Sequence, residues 1–260
     1  QRTGFLRSFV PNEDLGANFA MLDIAQELAL AADDMLAGAQ PTLFFLVTGE
    51  EDTAGSQISF GVRVVDLLRI GLPRFIAAGQ HLDAAQTALA SVSVGSLSTD
   101  RLLQIEMLRQ YHELLTDINS ILIDAPDALT TALGVIEAQN YLILSQNSDE
   151  LRPSGGYIST YGVFRVRNGR IDDYSYSATT ASSPNPPPAE AASEMSLPDW
   201  WIQYSQPIYA AWDGSWEPGF PKTAEMARWY YDSGNNPQSP VNGVFAIDLI
   251  GFEYILGALG

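Results

Sequence analysis

The spacing of apolar residues changes once along this chain, near residue 138, and that change limits the folds open to it. Before it, apolar residues recur every three or four positions, the period of an amphipathic helix. After it, they alternate or run in short blocks bounded by turn residues, the mark of strands. The sequence therefore predicts a helical region over residues 1–137 and a mixed α/β domain over residues 138–260. At 46% hydrophobic residues, both parts can bury a core.

In the first part, "NEDLGANFAMLDIAQELALAADDMLAGA" places Leu15, Phe19, Leu22 and Ala29 at helical spacing and predicts a helix that closes on Gly38. "VRVVDLLRIGLPRFIAAGQHLDAAQTALASV" predicts two helices divided near Gly71 and Pro73. "TDRLLQIEMLRQYHELLTDINSILIDAP" has the clearest period: Leu103, Met107, Leu114, Ile118 and Ile121 share a face, and Pro126 follows its end. Such an array packs against itself or against a partner. His81 and His112 fall on these helices, where packing or solvated roles are expected.

In the second part, "NYLILS" (140–145) is a short apolar strand. "GYISTYGVFRVRNGRIDDYSYS" reads as a hairpin with Asn168-Gly169 as a two-residue type I′ turn. Alternation puts Tyr157, Ser159, Tyr161, Val163, Arg165 and Arg167 on one face, and Ile158, Thr160, Phe164 and Val166 on the other. Residues 178–199, with four prolines in five positions, predict a stiff exposed loop. A helix from about Pro221 to Gly234 follows, then a strand "GVFAID" running into a further helix.

Several functions are excluded or disfavoured by composition. Thirteen basic residues against 31 acidic ones leave a net charge of −18, and such a surface repels nucleic acid and anionic headgroups. With no cysteine, disulfides and thiolate metal sites are ruled out. No apolar run reaches the roughly 18–20 residues that span a bilayer. The start at Gln1 and the stop at Gly260 inside an apolar segment point to a piece of a longer protein. No nucleophile elbow, phosphate-binding P-loop, zinc-protease helix or calcium loop is present.

Two stretches carry candidate chemistry. In "SQNSDELRPSGGYIST" (145–160), Pro153 biases Arg152 to extended backbone, and Ser154, Gly155 and Gly156 can present successive N–H groups to an anion. Arg165 and Arg167 would add charge from the adjoining strand, and Asp149 and Glu150 would hold a divalent cation. The alternative is that Arg152 pairs with Asp149 or Glu150 and pins a tight loop. In "AAWDGSWEPGFPKTA" (210–224), Trp212, Trp216 and Phe220 either line an aromatic groove for sugar or lipid or belong to the core.

These residues resemble a known signature. "YLILSQNSDELRPSGGYISTYGVFRVRNGRI" is similar to the motif of a bacterial envelope family known as a domain of unknown function, DUF4012, through Gln146, Asn147, Glu150, Leu151, Arg152, Pro153, Ser154, Gly155, Gly156, Tyr157 and Ile158. "SWEPGFPKTA" and "VNGVFAID" look like its later segments. That family in turn resembles the LytR–CpsA–Psr glycopolymer transferases, which take polymers from a polyprenyl pyrophosphate carrier with arginines on the pyrophosphate and aspartates on Mg²⁺. The chain departs from those enzymes where their proline-arginine-aspartate signature would fall, at "YSATTASS". It also carries Gly219 and Ser215 where the family has aspartate and asparagine.

The resemblance implies a LytR–CpsA–Psr-like domain truncated at its C-terminus, extracytoplasmic and membrane-anchored through a segment outside this chain. It implies Arg152 on phosphate and Asp149 or Glu150 on Mg²⁺. The expected ligand is a polyprenyl-pyrophosphate-linked glycan or a cell-wall polymer, bound or transferred. The alternative expectation is a non-catalytic subunit of a surface assembly that meets protein partners.

Overall fold

The computed structural model describes residues 13–48, 58–93, 95, 97–179 and 211–259. They form two compact units divided between Thr130 and Thr131. The mixed α/β class expected from the sequence is observed, with helices first and a four-stranded mixed sheet after. Most of the proline-rich segment lies outside the described residues.

The first unit holds α1 (Glu13–Thr48), α2 (Phe60–Ser91) and most of α3 (Thr99–Ala132). Met21, Ile24, Leu28, Ala31 and Met35 recur at intervals of three and four on α1 and meet Ala78, Leu82, Ala85 and Leu89 of α2. This is the spacing that keeps two helices in contact along their length. The pairing is antiparallel: Glu27 meets His81, Asp34 meets Arg74, and Gly38 meets Gly71.

Three predicted helix ends are corrected. α1 runs through Gly38 to Thr48, because Gly38 is a packing contact rather than a terminus. α2 is one helix, not two. A β-carbon on Gly71 would run into the Gly38 carbonyl, so the glycine serves the close crossing, and Pro73 is carried inside the helix. α3 continues past Pro126, where the Thr130 hydroxyl donates to the Pro126 carbonyl at 2.6 Å and accepts from Arg69 at 2.8 Å. A proline removes one backbone bond, and tertiary packing holds the helix through it.

The face of α3 that turns inward is not the one with the clearest apolar period. Ile105, Asn119, Pro126 and Thr130 turn inward, supported by half-buried Leu108, Leu115 and Leu122. Leu103, Met107, Leu114, Ile118 and Ile121 are all exposed, from 39% to 67%.

The second unit holds β1 (Gln139–Asn147), β2 (Tyr157–Arg167), β3 (Arg170–Ala178), α4 (Phe220–Ser233), β4 (Gly243–Asp248) and α5 (Leu249–Leu259). The sheet order is β3-β2-β1-β4, antiparallel except for the parallel β1–β4 pair. Asn168 and Gly169 take positive φ values of 49° and 70° at the hairpin turn, as two-residue I′ geometry requires. α4 covers one sheet face, packing Ala227, Tyr230 and Tyr231 on Leu142, Leu144, Ile158, Tyr161 and Val163. Ile158 thus sits on the face of Tyr161 and Val163, not opposite them. Ser145 faces Thr160 while Gln146 faces Ile158, so Ser159 is an extra residue that reverses the alternation.

Candidate functional site

β1 is apolar on both faces, and the face turned away from α4 is where the site forms. Odd-numbered residues of β1 point there, opposite Phe164, Gly162 and Thr160 of β2. Chain reversal after β4 lays α5 along the same side, through Leu249, Phe252 and Ile255. Between sheet and helix runs an open groove of about 770 Å³, within the size range of small-molecule sites. Ile143, Phe245, Ile247 and the half-exposed Tyr174 and Tyr176 give it an apolar, aromatic lining.

Glycine keeps the groove open. A β-carbon at Gly162 would lie 3.4 Å from the Tyr174 ring, so any larger side chain would project across the floor. Beside it, Tyr141, Phe164 and Phe245 form an aromatic trio with centroids 5.3, 5.4 and 6.3 Å apart. Burial raises the Tyr141 hydroxyl above its ordinary pKa, and it donates to the Ala132 carbonyl at 2.7 Å.

One end of the groove is polar. Ser145, Asn147, Ser159, Thr160 and Asp248 line it where β1 and β4 end. The C-terminal edge of parallel strands is where open α/β sheets place their ligands. Asp248 caps α5 by accepting from the Gly251 N–H at 2.6 Å.

The loop carrying the sequence motif starts at this end, at Asn147. It is built by its own hydrogen bonds: Glu150 N–H to Asn147 O and Tyr157 N–H to Glu150 O, both at 3.1 Å. The Asn147 amide donates to Glu150 at 3.1 Å. A β-carbon at Gly156 would lie 2.6 Å from the Asn147 carbonyl, so the glycine doublet lets the loop close on β1. Ser154 N–H goes to the Ser215 carbonyl at 3.4 Å and Gly155 N–H to the Arg152 carbonyl at 3.0 Å. Of the three N–H groups expected to face an anion, only that of Gly156 has no carbonyl partner among the described residues.

Arg152 is exposed, its guanidinium 5.5 Å from the centre of the Tyr157 ring, and it has no acidic partner among the described residues. The expected pairing with Asp149 or Glu150 is not formed. Arg165 and Arg167 are not brought to it. They lie at the far end of β2, about 26 and 33 Å along the strand from Tyr157 at the usual rise. There both flank Asp172, at 3.8 and 3.3 Å.

Asp149 and Glu150 supply two carboxylates, one of them already engaged by Asn147. No group of three acidic or histidine side chains suited to a metal occurs among the described residues. Two carboxylates suit Mg²⁺ where substrate phosphates and waters complete its shell. Of the second candidate stretch, Phe220 packs against the sheet core and Trp216 is half-buried in the short 3₁₀ turn Ala211–Trp216. The side chain of Trp212 lies outside the described residues. The aromatic residues that do line a groove, Tyr174, Tyr176, Phe245 and Phe252, were not singled out from the sequence. Their signal was the double-sided apolar pattern of "NYLILS", which demands cover on both faces.

Residues 137–260 match the family described as "Protein of unknown function (DUF4012)", which supports that resemblance for the sheet-bearing unit. No curated protein and no solved structure matches the chain.

Proposed function

We propose that the unit carrying this family signature binds a phosphorylated amphiphile of the bacterial envelope, such as a polyprenyl-pyrophosphate-linked glycan. The hydrocarbon lies in the groove between the sheet and α5, and the phosphate meets Arg152 on the loop from Asn147 to Tyr157. One observation carries this reading: a large apolar groove with its polar end at the start of the loop that holds Arg152, an exposed arginine with no acidic partner among the described residues. Arginine grips phosphate in a two-pronged way and stays charged at any relevant pH. Any Mg²⁺ would arrive with the phosphates and be steadied by Asp149. No residue is assigned a catalytic role, and transfer of the glycan is the stronger form of the same proposal.

The setting this reading requires is the outer face of a bacterial membrane, reached through a segment outside this chain. Among the described residues, no helix is long and apolar enough to cross a membrane. The second reading, a non-catalytic subunit of a surface assembly, draws on the exposed apolar face of α3.

The test is a calorimetric titration of a short polyprenyl pyrophosphate, with and without Mg²⁺, against two controls: the matching isoprenoid alcohol and inorganic pyrophosphate. Binding of the full amphiphile, with each half weaker alone, is the expected result. Absence of binding by all three overturns the proposal.

A further inference from the structure

The outward face of α3 repeats with the regularity of a helix that has a partner. Leu103, Met107, Tyr111, Leu114, Ile118 and Ile121 follow one another at intervals of four, four, three, four and three, and all are 39–67% exposed. A polar surface would satisfy a helix whose other face is already packed. A sustained apolar stripe at this spacing is the seam of a helix pair.

We infer that this face joins two copies of the chain through antiparallel α3 helices. Three features of α3 favour its own copy as the occupant. First, the stripe is self-complementary when reversed: Met107 falls opposite Ile118 and Tyr111 opposite Leu114, and the same layers repeat on the other side of the axis. Such two-fold, self-matching contacts are the commonest way for identical chains to associate.

Second, hollow and projection match under that reversal. A shallow groove of about 440 Å³ lies at the N-terminal third of the stripe, lined by Met21 and Leu22 of α1 with Gln104, Met107 and Leu108 of α3. The isoleucines project at the C-terminal third. Reversal brings Ile118 and Ile121 of the second copy onto that groove.

Third, charge is divided along the helix. In the N-terminal half Arg101 and Arg109 offset two of the three acidic residues Asp100, Glu106 and Glu113, whereas the C-terminal half carries Asp117, Asp124 and Asp127 with no basic residue of its own, Asp127 meeting Arg69 of α2 at 3.8 Å. A parallel pair would stack the acidic halves together, and the antiparallel pair separates them. The stripe leaves on the order of 600 Å² open per copy, which places the pair at the small end of specific interfaces. The net charge of −18 opposes association, so the dimer strengthens with salt.

The decisive measurement is the mass of the whole chain by light scattering over a range of concentration and salt, with cross-linking to fix the direction. Wild type is expected to pass from 28.3 kDa toward twice that mass, more readily at high salt. Leu114→Glu is expected to stay monomeric, with the melting temperature that wild type shows at dilutions where it too is monomeric. The chain has no cysteine. Oxidation of the Met107→Cys, Ile118→Cys double variant is therefore expected to give covalent dimers that neither single variant gives. A monomeric mass at every concentration and salt overturns the inference. So does a dimer indifferent to Leu114→Glu, or a covalent dimer from Met107→Cys alone, which would mean a parallel pair.

Discussion

The side-chain amide of Gln146 donates to both the carbonyl and the hydroxyl of Ser154, at 3.3 and 3.0 Å. Gln146 is buried at the end of β1 and Ser154 sits near the tip of the motif loop, so one side chain ties the loop to the sheet. Removing it in Gln146→Ala leaves half-buried polar groups of Ser154 without that partner and should cost about 1 kcal/mol. The effect should be local: amide hydrogen exchange over residues 148–156 should quicken while that of β2 stays slow. Unchanged exchange in the loop would mean that the backbone bonds alone hold it.

Arg152 is the phosphate contact of the proposed function, and its exposure separates binding from folding. Arg152→Ala should change stability by no more than about 1 kcal/mol, since a surface cation–π contact contributes little. Affinity for a short polyprenyl pyrophosphate should fall about tenfold or more, as expected for loss of a charge-assisted contact. Arg165→Ala, at the far end of the strand, should leave that affinity unchanged. Equal losses in the two variants would point to bulk charge rather than to a site.

Gly162 tests the groove. Gly162→Leu should project a side chain across the floor beside Tyr174 and weaken binding of an isoprenoid ligand by about tenfold. A β-carbon there would meet the Ser175 carbonyl at 3.3 Å, so Gly162→Ala is the control for strain alone. Retained binding in a folded leucine variant would place the hydrocarbon elsewhere.

Gly71 tests the helical unit. A methyl group there meets the Gly38 backbone, which has no flexible end to move aside. Gly71→Ala should therefore destabilise the first unit by about 3 kcal/mol, in the upper range for overpacking, despite alanine's better helix propensity. A stabilised variant in thermal melts would show that the crossing can open without cost.

The buried tyrosines set a limit at high pH. Burial, with Asp232 and Asp173 adding to it, raises Tyr231 from 10.0 to about 12, and burial beside Tyr230 and Tyr231 raises Tyr161 further. A raised pKa favours the neutral phenol in the folded state, so its full contribution is present below pH 10 and is lost as pH rises through the folded value. Stability by denaturant titration should be flat from pH 8 to about 10 and fall toward pH 12. Tyr161→Phe should flatten that fall; an unaltered slope would assign it to other groups.

What sequence reading captured was local. The Asn168-Gly169 turn needs two positive φ values that those residues supply, and α4 is bracketed by Pro221 and Gly234 as a short helix should be. What it missed depends on residues distant in the chain. Gly38 and Gly71 look like helix ends until each is seen to make room for the other. The alternation that mis-sided Ile158 is broken at Ser159, by a bulge that no residue there announces. The period of α3 is legible in the sequence, but which of its faces meets the other helices is not. Ile105 and Asn119 turn inward, although the exposed stripe is the more apolar one. The double-sided apolar pattern of β1 signals that something covers both faces, but the groove itself is not legible locally, because β1, β2, β3, β4 and α5 each contribute a part.

The parallel contact between β1 and β4 also has a consequence in time. The Asn140 amide bonds to the Asn242 side chain across 102 positions of sequence, and the pairing from Tyr141 to Gln146 closes the same long loop. Contacts so distant form slowly, after the hairpin of β2 and β3 whose partners are neighbours. On a ribosome, β1 waits with an open apolar edge until β4 has left the exit tunnel. During synthesis that edge is an aggregation hazard, and the groove forms only after β4 and α5 have joined the sheet.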